Sequence, residues 1–168
     1  KVTPKTVSFH AVVLLSQQTK SRTCVWHRGN VPQPNAGDLY KDALAHSKVL
    51  HLDGHMLEAA IFAAKFCQSR GVKVCYDAGG TYPGVERLLP HIDWLIPSEE
   101  FALKITGAAT SEKAAQILYE TYHPKLVVLT QGVLGGILLD EKGIRRYECY
   151  PVDVVDSNGS GDTFHGAF

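Results

Sequence analysis

The arrangement of residues 48–76 constrains the fold of this chain more than any other feature. Residues 48–52 are an apolar run typical of a buried strand, residues 56–69 carry apolar side chains at helical spacing, and residues 72–76 are a second strand-like run. Gly71 ends the helical pattern just before that second run. A strand, a helix and a strand within this length are typical of a βαβ unit, in which the two strands are parallel.

The same alternation continues along the chain. Strand-like runs at 94–97 and 126–130 are separated by a helical pattern at 110–122, and a further helix is predicted from about residue 36 to residue 46. Residues 9–27 contain two strand-like runs, 9–16 and 22–27, that predict a hairpin. We therefore predict an α/β fold with three layers, α/β/α, around a mostly parallel sheet, and a small β element near the N-terminus.

A glycine-containing loop at residues 156–162 follows a short apolar run, 152–155, that is predicted as a strand. Gly159 and Gly161 permit a tight bend and a close approach of the backbone to a ligand. A helix predicted to begin near Gly161 directs free N–H groups into the loop, where they favour an anion such as phosphate. Asp162 lies in the first turn of that helix, close to the predicted anion site. Phosphoryl transfer to a hydroxyl requires both an anion site and a carboxylate that can accept a proton.

The residues of this loop also fit a simpler interpretation, a turn followed by an aspartate that caps the helix. Two other glycine motifs are excluded by spacing. A Walker-type loop needs a lysine, and residues 151–168 contain none. A dinucleotide fingerprint needs a third glycine where Phe164 stands.

Residues 156–164 resemble the D-T-x-G-A-G-D-x-F signature of the ribokinase-like (PfkB) carbohydrate kinases. Four fixed positions of the signature are kept: Asp156, Gly159, Gly161 and Asp162. Two small residues differ from it: Ser157 and Ser160. Because the signature is long and ordered, it favours a phosphate loop over a plain turn.

The resemblance implies a role for each part of the loop. Asp162 is the base that takes the proton from a sugar hydroxyl. The anion hole consists of the backbone N–H groups of Gly159, Ser160 and Gly161. The candidate ligands of a monovalent cation, K⁺, are Asp156 and Ser157.

Residues 130–135 resemble the T-x-G-x-x-G turn of the same family, which passes beneath the nucleotide. The resemblance implies nucleotide contacts from Thr130, Gly132 and Gly135. A hairpin turn into the following strand would also need glycine. The position of this turn ahead of the 156–162 loop favours the nucleotide interpretation.

Residues 97–107 resemble a P-N-E-x-E-x-x-x-L-T-G stretch that helps to organise magnesium and phosphate in the family. Glu99 is kept and is therefore a candidate Mg²⁺ ligand. Ser98 stands in place of the family asparagine, where it is also a predicted helix cap, and Phe101 stands in place of the second glutamate. These departures weaken the prediction of a metal site.

By the same resemblance, we expect residues 1–168 to be one ribokinase-like kinase domain that is incomplete at both ends. Residues 9–27 are then strands near the lid that covers the sugar. Residues 48–168 are the α/β core that carries the nucleotide and phosphate loops.

Composition excludes several other classes of protein. The 168 residues are 45% hydrophobic, which suffices for one sizeable core. Seventeen basic and seventeen acidic residues give a formal net charge of zero, unlike a protein that binds nucleic acid or an anionic membrane. The four cysteines are scattered, which favours a reducing, cytoplasmic location, and Cys24 and Cys75 lie in apolar runs that predict burial.

The sequence therefore predicts an ATP-dependent sugar kinase that transfers the γ-phosphoryl group of ATP to a sugar hydroxyl. Its expected cofactor is Mg²⁺, its expected partner is a small-molecule sugar, and the lid sheet is a candidate homodimer contact. The alternative is a non-catalytic homologue that binds a nucleotide or a sugar. The departures at Ser98 and Phe101 favour this alternative.

Overall fold

A computed structural model of the chain describes residues 3–19 and 22–168. Residues 20 and 21, in the connection of the predicted hairpin, lie outside the described residues, as do residues 1 and 2. The chain divides into two compact units. The smaller unit contains the residues up to Gln33 together with Pro151–Phe168, and the larger unit is Pro34–Tyr150.

The described residues form eight β-strands and five α-helices. In chain order the strands are β1 (His10–Leu15), β2 (Arg22–His27), β3 (Val49–Leu52), β4 (Lys73–Ala78), β5 (Trp94–Pro97), β6 (Leu126–Thr130), β7 (Gly136–Asp140) and β8 (Gly143–Tyr147). The helices are α1 (Lys41–His46), α2 (Leu57–Gln68), α3 (Glu99–Thr106), α4 (Ser111–Tyr122) and α5 (Ser160–Ala167). Within these described ranges, no helix combines the length and the apolar character that crossing a bilayer requires.

The larger unit is built on a six-stranded sheet in the order β3-β4-β5-β6-β7-β8. Strands β3 to β6 are parallel, and a connection with helical turns joins each to the next. Strands β6, β7 and β8 are antiparallel, since short turns join them. The predicted α/β class with a mostly parallel sheet flanked by helices is therefore confirmed, as is the βαβ unit of β3, α2 and β4.

One hydrophobic cluster joins α2, α3 and α4 to the sheet. Val74 and Tyr76 of β4, Leu95 of β5, and Val127 and Leu129 of β6 alternate along their strands and so share one face. Burying one such aliphatic side chain contributes about 1.5–3 kcal/mol. The cluster therefore fixes the carboxyl ends of β5 and β6, where two of the predicted site segments begin.

Two predicted elements differ from the structure. The helix expected from about residue 36 begins only at Lys41, because Asn35 Oδ1 accepts the N–H of Gly37 at 2.8 Å and closes a turn there. Residues 152–155 were expected to form a strand, but they pair with no strand of the described chain, and Val152 and Val155 are exposed.

Strands β1 and β2 form an antiparallel hairpin in the smaller unit, as predicted, and Leu15 pairs with Arg22 at its end. Both faces of these two strands are exposed. For this reason Cys24 is exposed, and the prediction that it is buried was wrong. Cys75 lies on β4 inside the six-stranded sheet and is buried, as predicted.

Gly135 and Gly143 lie at the turns that join β6, β7 and β8, and they allow a comparison of a crowded glycine with an uncrowded one. A Cβ atom on Gly135 would lie 2.0 Å from the carbonyl oxygen of Tyr147, and the φ angle of Gly135 is +80°. Gly143 has a φ angle of +99°, but its Cβ would meet nothing within 4 Å. We expect Gly135→Ala to lower the free energy of unfolding by about 3 kcal/mol and Gly143→Ala by about 1 kcal/mol, measured by urea denaturation. Equal losses would contradict a steric role for Tyr147.

Candidate functional site

The C-terminal glycine loop, residues 156–162, turns the chain into α5 within the smaller unit. Gly159 caps α5 with a φ angle of +75°, a left-handed conformation that glycine adopts without steric cost. Asp156 Oδ1 accepts the N–H of Asn158 at 2.7 Å, which closes the turn before the cap. The predicted start of a helix in this loop is thus confirmed, at Ser160.

Three backbone N–H groups of the C-terminal glycine loop have no acceptor among the residues that the structure describes. The N–H of Ser160 donates to the carbonyl of Ser157 at 3.3 Å. The N–H groups of Gly159, Gly161 and Asp162 donate to no acceptor among residues 3–19 and 22–168. These groups lie at the positive end of the α5 dipole, so their arrangement suits an anion.

The carboxylate of Asp162 is folded back over the loop. Its side chain is exposed, and its Oδ2 atom lies 3.8 Å from the position that a Cβ atom on Gly159 would occupy. A Cβ atom on Gly161 would meet nothing within 4 Å. Packing within the chain therefore does not explain why position 161 is a glycine.

In the smaller unit, Arg22 of the hairpin contacts this loop. Arg22 Nη1 donates a long hydrogen bond of 3.4 Å to Asn158 Oδ1. Next to this contact is a cavity of about 280 Å³, lined by Leu15, Ser16, Gln17, Val155 and Asp156. The end of the hairpin and the glycine loop therefore lie close together, which the sequence could not reveal because 136 positions separate Arg22 from Asn158.

In the larger unit, residues 130–135 connect β6 to β7. The N–H of Gln131 donates to the carbonyl of Gly135 at 2.8 Å, which closes a tight turn. Gly132 has a φ angle of +57°, and its Cβ would meet nothing within 4 Å. The turn itself explains the glycine at position 135, whereas at position 132 the backbone angle favours glycine and the space around it is open.

Glu99, the predicted Mg²⁺ ligand, is the first residue of α3 and lies beside the 130–135 loop. Its Oε1 atom accepts a hydrogen bond from the hydroxyl of Ser111 and another from Gln131 Nε2 at 2.7 Å. Gln131 Nε2 also donates to Ser111 Oγ at 3.3 Å. The three side chains thus form a closed ring of hydrogen bonds between α3, α4 and the loop.

These hydrogen bonds change the acidity of Glu99. The bond from Ser111, and then that from Gln131, hold the pKa of the Glu99 carboxyl below its usual value, although partial burial opposes them. Because the folded-state pKa is lowered, the carboxylate stabilises the fold above the ordinary carboxyl range. This contribution is lost as the pH falls through the lowered pKa.

The two departures from the family pattern in α3 have structural roles. Ser98 Oγ accepts the N–H of Phe101 at 3.2 Å and caps the helix, as predicted. Phe101 is 1% exposed and packs edge-on against Tyr76, with 6.2 Å between ring centroids. Neither position therefore offers a carboxylate to a metal ion.

The structure brings the predicted site residues together in two groups. The smaller unit holds Asp156, Ser157, Gly159, Ser160, Gly161 and Asp162. The larger unit holds Glu99, Thr130, Gly132 and Gly135. Ser111 and Gln131 join the second group, and sequence reasoning missed both, because no local pattern connects positions 99, 111 and 131.

Comparison with solved structures defines the fold class. A crystal structure from E. coli, of a protein provisionally assigned as ribokinase II in complex with ATP and Mg²⁺, has a TM-score of 0.77 to this chain. The two are 22% identical, and the match covers 94% of this chain and 56% of that one. The fold is therefore ribokinase-like, as the sequence predicted.

Sequence comparison then gives the family. The family described as pfkB family carbohydrate kinase matches residues 3–168, and the chain belongs to it. A cytidine kinase from Thermococcus kodakarensis is 32% identical over 110 residues, which are 59% of this chain and 39% of the relative. A ribokinase from Lactococcus lactis subsp. lactis is 28% identical over 111 residues, which are 66% of this chain and 35% of the relative. The matches thus span well under half the length of these two relatives.

Proposed function

We propose that this chain is the phosphoryl-transfer part of an ATP-dependent kinase whose acceptor is a hydroxyl group of a sugar. The observation that carries the proposal is the pairing, in one short loop, of the Asp162 carboxylate with three backbone N–H groups that have no acceptor within the described ranges. Membership of the pfkB family supports it. So do a relative that is a ribokinase and a structural neighbour in complex with ATP and Mg²⁺.

In this proposal the C-terminal glycine loop binds the group that is transferred. The N–H groups of Gly159 and Gly161 donate to the phosphoryl oxygens as negative charge develops on them. The N–H of Ser160 completes the predicted anion hole, since its 3.3 Å bond to Ser157 is long enough to be shared. Asp162 accepts the proton of the acceptor hydroxyl as that oxygen attacks the γ-phosphorus of ATP, whose bond to the bridging oxygen breaks and releases ADP.

The 130–135 loop is the proposed nucleotide contact. Thr130 offers a hydroxyl at the carboxyl end of β6, the edge at which open α/β sheets bind ligands. Open space around Gly132 allows a ligand to approach the backbone closely. Gly135 contributes by shaping the turn, since Tyr147 leaves no room for a side chain there.

The metal ions proposed for this protein, K⁺ and Mg²⁺, both bind oxygen atoms. The side chains of Asp156 and Ser157 offer oxygen atoms suited to a hard monovalent cation such as K⁺, which would balance charge beside the anion hole. Mg²⁺, when bound, would neutralise phosphate oxygens of ATP. Around Glu99 the fit is poor, because Oε1 already accepts two hydrogen bonds and Phe101 replaces the second acidic residue.

A second candidate function is a homologue that binds a nucleotide or a sugar without catalysis. The helix cap at Ser98 and the buried Phe101, at positions where the family has metal-organising side chains, favour it. A homodimer through the hairpin and a cytoplasmic location remain predictions from the sequence.

A kinase assay on the full-length protein distinguishes the two candidate functions. We expect it to form ADP from ATP in the presence of one member of a panel containing ribose, fructose, cytidine and adenosine, and mass spectrometry to show one added phosphoryl group on that acceptor. ATP binding by calorimetry without turnover of any acceptor would favour the non-catalytic homologue. Turnover of a nucleoside alone would move the acceptor from a free sugar to a nucleoside, as in the cytidine kinase relative.

A further inference from the structure

The hydrogen-bonded ring of Glu99, Ser111 and Gln131 lies where two helices and a loop meet. Glu99 and Ser111 are the first residues of α3 and α4, and Gln131 is in the loop that follows β6. Ser111 is only 7% exposed, and its hydroxyl both donates to the carboxylate and accepts from the amide. The orientation of the Gln131 amide is fixed, because a carboxylate only accepts hydrogen bonds and Nε2 must face it.

The donors around Glu99 are a hydroxyl and an amide, both of which point at the same carboxylate oxygen. Among the described residues, no group of three His, Cys, Asp or Glu side chains with converging ligand atoms includes Glu99. Such a cluster would be expected of a metal centre built by the protein itself. The ring instead resembles an anchor in which the Ser111 hydroxyl, the Gln131 side-chain N–H groups and Oε1 of Glu99 all have partners.

Gln131 transmits this anchor to the backbone of the 130–135 loop. Its N–H donates to the carbonyl of Gly135 at 2.8 Å, and its carbonyl accepts the N–H of Leu134 at 3.2 Å. The residue that grips Glu99 with its side chain is therefore the one that closes the turn with its main chain. Gly132 and Gly135 have positive φ angles and wide conformational freedom, so the loop needs such an anchor to keep one shape.

We propose that Glu99 is a positioning residue that holds the 130–135 loop in its nucleotide-binding shape through Gln131, and that it is not a ligand of Mg²⁺. The inference rests on the proposed function, since it assigns nucleotide contacts to that loop. Loss of the anchor loosens the loop in the free protein, and ATP must then order the loop when it binds. Affinity for ATP falls, while the chemical step, which takes place elsewhere, is little changed.

The test compares Glu99→Gln with Glu100→Gln in the full-length protein. Glu100 is the adjacent, exposed glutamate and takes no part in the ring, so its variant controls for the loss of one negative charge near α3. We expect Glu99→Gln to raise the KM for ATP about tenfold, because glutamine keeps an acceptor oxygen but loses the charge that strengthens the bonds from Ser111 and Gln131, with kcat within about twofold of the wild type. Glu100→Gln should change neither.

Calorimetry in EDTA removes the metal from the measurement. A positioning residue predicts that Glu99→Gln weakens ATP binding by the same factor with EDTA as with excess Mg²⁺. It also predicts an unchanged Mg²⁺ concentration for half-maximal rate. A defect that disappears in EDTA, or a shifted Mg²⁺ requirement, would overturn the proposal in favour of a metal ligand.

A variant in which the residues at positions 99 and 131 are exchanged tests whether the hydrogen bond itself is needed, and a further variant covers the case in which these proteins do not fold. The double variant Glu99→Gln, Gln131→Glu restores one amide donor and one carboxylate acceptor with the partners swapped, and we expect it to recover most of the lost ATP affinity. If neither the single nor the double variant folds, Gln131→Met cuts the same link from the loop and should raise the KM for ATP alone. Wild-type ATP affinity in Gln131→Met would overturn the inference, whereas absence of kinase activity in the wild type would contradict only the proposed function.

Discussion

Asp162→Asn is expected to lower the kcat of the full-length enzyme by about 10²–10⁴-fold and to leave the affinity for ATP within about twofold of the wild type. The size of the loss is that of a general base removed from its reaction. Affinity is preserved because asparagine has nearly the same shape and keeps the main-chain N–H groups of the loop in place. Steady-state kinetics gives kcat, and calorimetry with a non-hydrolysable ATP analogue gives the affinity.

The control for this prediction is Asp153→Asn. Asp153 is exposed and lies in the irregular segment before the loop, so its variant makes the same change of charge outside the proposed site. We expect it to retain the wild-type rate. An Asp162→Asn enzyme with near-normal kcat would remove Asp162 from the role of base, even though its carboxylate lies over the loop.

The central sheet was predictable because its sequence signals are local and agree with one another. The run at 126–130 is apolar and of strand length, and it forms β6. Gly71 predicts the end of the helical pattern at 56–69, and α2 ends three residues before it, at Gln68. Residues 152–155 show the limit of such signals. Their valines have the composition of a strand, but a strand exists only when a neighbour completes its hydrogen bonds, and the sequence does not show whether a neighbour is present.

The C-terminal glycine loop was also predictable, because its geometry depends on consecutive residues. Gly159 must adopt a positive φ angle at the cap, and Asp162 follows at the spacing of one helical turn. The ring around Glu99 was not predictable in the same way. It depends on β5 and β6 being adjacent and parallel, which brings position 99 to position 131, and on the start of α4, which brings Ser111 to both.

Cys24 and Phe101 illustrate the same limit in opposite directions. Cys24 lies in an apolar run and was expected to be buried, but the hairpin exposes both of its faces. Phe101 stands at a position where the family has a glutamate, and the structure uses it to pack against Tyr76 in the core. In each case the outcome depends on which layer covers the residue, a property of the assembled fold.

Gly161→Ala is also expected to have a large effect on activity. It distinguishes two reasons for a glycine at this position, packing within the folded chain and the close approach of a ligand to the backbone. In the folded chain a Cβ atom at position 161 meets nothing within 4 Å, and the residue lies within α5 without a positive φ angle. Alanine should therefore stabilise the protein by up to about 1 kcal/mol, because it favours the helix more than glycine does. If the backbone of this loop contacts a phosphoryl group, however, the added methyl group occupies the space that the ligand needs.

We therefore expect Gly161→Ala to unfold at a higher urea concentration than the wild type and yet to lose about 10²–10³-fold in kcat, as when one donor to the developing charge is removed. Thr163→Ala is the matched control, since Thr163 is exposed in the same helical turn and its variant also gains helix propensity. It should be stabilised without losing activity. If Gly161→Ala were both more stable and fully active, no ligand would approach this backbone, and the anion hole would have to be formed by other residues.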